Sequence, residues 1–324
     1  MIRRLTGGLP DWAQPSHPVL RHALGMNQPR PRWQVRYGRA LMFVLIGASL
    51  LLIGYLAATN LLRRVPGENP VEAINNILFI PLLIAQLLLR IFAVLLTSST
   101  VTEQIRRQNW DSLRATPSGA ELTLRARWAL VFYRLRGLLG AVLVARVGLL
   151  LLMLYDLTAF QGRYLDLLIS GITPDVSLVT AVPLLALMMT AALLLPFTAV
   201  GFDASIGLLI AAQVKARTLN TVLQLLYILL RIGLTVALLM LLTHFLRGGL
   251  FISSAAAWLL IAAAAASADW GLSLLYLSRY GEIWAIVPYG ILIGLALLVF
   301  ALAQAAIADQ LLLAAARRAQ RNDS

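Results

Sequence analysis

Long, nearly uninterrupted runs of apolar residues dominate the chain, and short polar segments separate them. Runs at 41–58, 74–96, 137–155, 178–212 and 219–245, with a sixth at 283–308, approach or exceed the roughly 20 residues a helix needs to cross a bilayer core. A helix satisfies its own backbone hydrogen bonds in lipid. Strands of a transmembrane barrel would alternate apolar and polar positions, and these runs do not. An all-α, polytopic membrane protein with about six transmembrane helices is therefore expected.

A seventh apolar stretch, 250–266, is about 17 residues long, rich in alanine and followed by Asp269. Charge decides its place. Arginine and lysine favour cytoplasmic loops. The first 39 residues hold seven arginines, 98–136 hold seven more, Lys215 and Arg217 follow, and three arginines close the chain. In a six-span chain these segments share one side, and they hold 19 of the 27 basic residues. A single crossing by 250–266 would send the last arginines to the other side. The segment 250–280 is therefore expected as a re-entrant or interfacial hairpin on the outer side, before the last span, with both termini cytoplasmic. The first 39 residues contain no apolar segment of the kind that a cleavable signal peptide requires. They are expected to form a cytoplasmic tail, with a membrane-surface helix or a basic arm near 19–24.

Composition agrees with this layout. Of 324 residues 60% are hydrophobic and 13% charged, and mean hydropathy is +0.82. A soluble domain is about half apolar and a quarter charged. The net charge of +13 comes with basic residues gathered between the apolar runs, so a lipid-bilayer partner is expected and a nucleic acid is not. There is no cysteine, which excludes disulfides and thiolate metal sites. No His-Glu-x-x-His or paired-carboxylate motif occurs, so no catalytic or metal-ligating residue is expected.

Four ionisable residues fall within the expected spans: Arg90, Arg146, Asp203 and Arg231. Such groups are costly in lipid and face a partner, a cavity or a functional path. Arg90 lies seven residues from the cytoplasmic end, about 10 Å at helical rise, and is expected to snorkel. Arg146, Asp203 and Arg231 lie deeper, and an ion pair between Asp203 and Arg146 or Arg231 would neutralise both partners. Pro183 and Pro196 could break the fourth span; a break near Pro196 would bring Asp203 to the interface.

The segment between the second and third spans carries the most specific wording. Thr100-Val-Thr-Glu103 fits a capping box, as does Ser118-Gly-Ala-Glu121. Pro117 disfavours helix at Thr116, so a short polar helix is expected near 100–115. Its sequence, TEQIRRQNWDSLRATPSGAEL, resembles the cytoplasmic coupling helix of type-2 ATP-binding cassette (ABC) permeases. Glu103, Arg106 and Arg107 match the family's opening; Trp110, Asp111 and Leu113 the middle; Thr116, Pro117 and Glu121 the end. Gln108 stands where the family usually has glycine, and Arg125 and Arg127 stand near its Gly-Lys. HPVLRHAL in the tail is similar to the family's Asn-Pro-Val-Leu-Arg opening. The family's plan of six spans with a re-entrant segment before the last is similar to the plan above.

The resemblance implies a cytoplasmic tail at 1–39, a permease domain at 40–310 with a coupling-helix segment at 98–125 and an outer hairpin at 250–280, and a cytoplasmic tail at 311–324. It implies an exporter subunit in the cytoplasmic membrane of a prokaryote, paired with a second permease subunit as a homo- or heterodimer. ATP would be bound by a separate ATPase, because this chain lacks a P-loop: Lys215 sits in AAQVKAR. Glu103, Arg106, Arg107, Trp110, Asp111, Leu113, Thr116 and Pro117 would then couple to that ATPase. The competing expectation is a membrane subunit that anchors or scaffolds a larger complex.

Overall fold

The computed structural model describes residues 10–24, 33–58, 70–97, 119–159, 178–214, 216–246, 248–268 and 292–321. All regular structure among them is helical. A 3-10 turn at Asp11–Ala13 precedes α1 (Pro18–Ala23), α2 (Trp33–Ala58), α3 (Pro70–Thr97), α4 (Gly119–Ala159), α5 (Leu178–Gln213), α6 (Arg217–Leu246), α7 (Ser254–Ala268) and α8 (Ile293–Arg321). Five of these, α3, α4, α5, α6 and α8, are long and apolar enough to cross a membrane. The expected first span falls in α2, whose described apolar part, Val44–Leu56, is shorter. Leucine, isoleucine and valine side chains of α2 and α6 project outward, as they would towards lipid.

α5 is the centre of the bundle and packs against α3, α4 and above all α8. Two glycines permit the closest approaches. A side chain at Gly207 of α5 would collide with Thr97 at the end of α3, and one at Gly54 of α2 would strike Pro81 of α3 and the carbonyl of Ile77. Small residues at such crossings let helices gain dispersion contact where lipid supplies no hydrophobic drive. Leu208, Ala211 and Ala212 of α5 meet Leu312, Ala315, Ala316 and Ala319 of α8 in the same way.

These contacts gather the ends of α3, α5 and α8 with the start of α4 at one end of the bundle. The tail docks there too. Leu20 of α1 is fully buried against Ala126, Ala129 and Leu130 of α4, and the Tyr133 hydroxyl donates to the Ala13 carbonyl at 2.7 Å. The part of the tail around 19–24 thus forms a helix seated on α4.

α4 runs unbroken for 41 residues from Gly119, as the Ser118-Gly-Ala-Glu121 wording leads one to expect of a helix that climbs into the third span. Two other elements bear on open or differing expectations. α5 is one continuous helix through both prolines, so Asp203 stays inside the bundle. α8 extends to Arg321, which makes residues 311–321, expected as a tail, part of the bundle. The reason is visible at Ala308, Leu312, Ala315 and Ala319: the three-to-four-residue apolar spacing continues past Asp309 and is buried.

α7 is the least conventional element. It follows a turn at the far end of α6, where Gly248 has φ +72° and the Gly249 amide donates to the His244 carbonyl at 3.0 Å. Its 15 residues make about 22 Å of helix at 1.5 Å per residue, short of a bilayer core of about 30 Å. Ala257, Ile261, Ala264 and Ala265 are buried in the main core, so α7 enters the bundle and ends inside it. Residues 269–280, the rest of the expected hairpin, lie outside the described residues.

Candidate functional site

Four helices meet at a buried cluster of polar groups. Arg90 projects from α3, Asp203 from α5, Tyr227 and Arg231 from α6, and the Ser267 carbonyl from the last turn of α7. The Arg90 Nε lies 3.7 Å from an Asp203 carboxylate oxygen, with 3% and 0% of the two side chains exposed. A second guanidinium nitrogen of Arg90 donates to the Ser267 carbonyl at 2.8 Å. The Tyr227 hydroxyl donates to the other Asp203 oxygen. Arg231, one turn beyond Tyr227, lies within electrostatic range of the same carboxylate.

This corrects two expectations. Arg90 does not reach back to the surface, and the ion pair of Asp203 is with Arg90 rather than with Arg146 or Arg231. The packing explains the choice. Gly207 draws α5 onto the end of α3 at Thr97. Further into this parallel pair, Asp203 lies one turn from Gly207 and Arg90 two turns from Thr97. Position along each helix was legible in the sequence, but which helices touch was not.

The end of α7 explains the third partner. The last carbonyls of a helix have no acceptor role within it and carry partial negative charge. Buried away from water, they require a donor, and Arg90 supplies one. A single guanidinium thus ties the end of α7 to α3 and, through Asp203, to α5.

Arg146 of α4 is fully buried and has a separate task. Proline has no N–H, so Pro196 leaves the Ala192 carbonyl four residues earlier without its helical donor. Arg146 donates to that carbonyl. Proline and arginine on neighbouring helices therefore compensate one another, which is how a helix keeps a proline inside a membrane protein.

Tyr227 and the Ser267 carbonyl were missed by sequence reasoning. Tyr227 had a signal. Asn220, Gln224, Tyr227, Arg231 and Thr235 recur at three- and four-residue spacing along an otherwise leucine-rich helix, and Asn220, Gln224 and Thr235 are buried. That row is the inward face of α6. A backbone carbonyl leaves no such trace. The coupling-segment residues Glu103, Arg106, Arg107, Trp110, Asp111, Leu113, Thr116 and Pro117 lie outside the described residues. Among the described residues no group of three or more His, Cys, Asp or Glu side chains could hold a metal ion. The cluster is built to hold helices at fixed relative positions while keeping charge in the bundle.

In comparisons with known proteins, no protein-family model, curated sequence or solved structure matches this chain.

Proposed function

We propose that this protein is the membrane-spanning permease subunit of an ABC exporter, with α2 as a sixth crossing and the tail, the 98–125 segment and the end of α8 on the cytoplasmic side. The observation that carries the reading is α7: a short helix that enters the bundle from the far end, between the last two long helices, and stops on Arg90. That is the placement the type-2 permease plan calls for before its last span, and it comes from packing, independently of the TEQIRRQNWDSLRATPSGAEL wording. The seating of α1 on the start of α4 adds to it. A tail docked on the start of α4 stiffens the helix that would receive the push of an ATPase.

In this reading a separate P-loop ATPase binds Glu103, Arg106, Arg107, Trp110, Asp111 and Leu113 and moves the segment as ATP binds and is hydrolysed. α4, continuous from Gly119, carries that movement into the bundle, and two permease subunits enclose the path in the cytoplasmic membrane of a prokaryote. Affinity purification of the tagged protein in mild detergent, with every copurifying chain identified by mass spectrometry, tests this. A stoichiometric P-loop ATPase is expected. Recovery of redox or other complex subunits in its place would favour the anchoring role.

A further inference from the structure

A groove of about 890 Å³ runs along α4 between α5 and α8, bounded at one end by Trp12 of the tail. That volume lies within the roughly 300–1,000 Å³ of small-molecule sites. Its two halves differ in chemistry. Beyond Arg136 the walls are Leu139, Gly140 and Leu143 of α4 and Phe197 of α5; before it lie Arg125, Tyr133 and Asp309.

Most of the polar groups are already engaged. Arg125 lies 3.0 Å from Glu121 and 3.7 Å from Asp309, and sits over the Trp12 ring at 5.9 Å. The Tyr133 hydroxyl is taken by the Ala13 carbonyl. Arg136 is exposed and has no hydrogen bond or ion pair among the described residues. It also stands immediately before the apolar run at 137–155.

We propose that this groove holds a membrane phospholipid, its phosphate on the Arg136 guanidinium and one acyl chain along Leu139, Gly140, Leu143 and Phe197. A guanidinium matches phosphate with paired, charge-assisted hydrogen bonds. The trough beyond it offers a polar ligand almost nothing to bond with, so a sugar or peptide would lose its hydration uncompensated. An acyl chain loses none. Gly140 shapes the trough: a Cβ placed there meets no atom within 4 Å, so the space belongs to the ligand rather than to a neighbouring helix. The site stands whether the chain transports or anchors.

The test uses the full-length protein in vesicles of phosphatidylcholine and phosphatidylglycerol, with a trace of phosphatidylglycerol carrying a photoactivatable acyl chain. Labelled residues are mapped by mass spectrometry. Leu225 and Leu229 on the outward face of α6, 55% and 56% exposed, report lipid that merely surrounds the protein. Label at 139–143 and Phe197 should exceed label on α6. It should fall about tenfold in Gly140→Phe, which plugs the trough, and in Arg136→Gln, which removes the charge-assisted bond. Label on α6 should stay constant in both variants, which shows that they insert normally. Groove label no higher than α6 label, or unchanged by both substitutions, would overturn the proposal. So would an unlabelled groove in the wild type, which would mean that another part of the chain fills it.

Discussion

Asp203 is the residue on which the most depends. Its carboxylate takes the charge of Arg90 and the Tyr227 hydroxyl with Arg231 close by, and it is fully buried. Removing one partner of a buried pair costs on the order of 3–5 kcal/mol in soluble proteins. Asp203→Asn should therefore lower the thermal unfolding temperature in detergent clearly, and adding Arg90→Gln should recover part of the loss. A double variant that is no better than Asp203→Asn would refute the pairing. Arg146 allows a sharper test, because its partner exists only through a proline. Arg146→Leu should cost about 1–3 kcal/mol, the penalty of an unsatisfied buried carbonyl. In a Pro196→Ala background the helix regains its own donor to Ala192, and the same change should cost measurably less. Strictly additive losses across the four proteins would show that the two residues act apart.

At the scale of elements, five long apolar helices were legible because lipid imposes one rule on every helix, long apolar runs with internal hydrogen bonding. Helix ends were not, because they follow local packing. α8 continues past Asp309 since alanines at 315, 316 and 319 bury against α5, and alanine gives weak hydropathy there beside Arg317 and Arg318. Asp203, Arg146 and Arg231 stood out as charges in apolar runs; that Arg90 is the partner depended on Gly207, whose importance lies in what it lets approach. Gly207→Val should collide with Thr97 and the Val94 backbone and cost about 1–3 kcal/mol as overpacking. Gly233→Ala on α6, where a Cβ meets nothing within 4 Å, should be neutral or stabilise by up to about 1 kcal/mol through helix propensity. Thermal melts of the two variants compare them directly, and equal losses would contradict the assigned contact.

For the whole molecule, the buried cluster gives the bundle a definite direction: tail, start of α4 and ends of α3, α5 and α8 at one end, and the turn before α7 at the other. Absence of native cysteine makes this easy to check. Cysteines placed at Ser16 and at Phe251, the latter 98% exposed, should differ, with only the second labelled by an impermeant reagent added to intact cells. Labelling of both would contradict the two-ended arrangement.

The proposed function turns on whether the 98–125 segment drives a partner or merely rests on the membrane surface. A large aromatic in an interface carries binding energy out of proportion to its area, which makes Trp110 the residue to change. The decisive measurement is recovery of a P-loop ATPase, and of its ATP hydrolysis, with wild-type protein and Trp110→Ala purified from matched membranes. The expected result is an active ATPase with the wild type and a loss of both recovery and hydrolysis with the variant, at equal membrane insertion. An unchanged yield and activity with Trp110→Ala, or no ATPase with either protein, would contradict the permease reading.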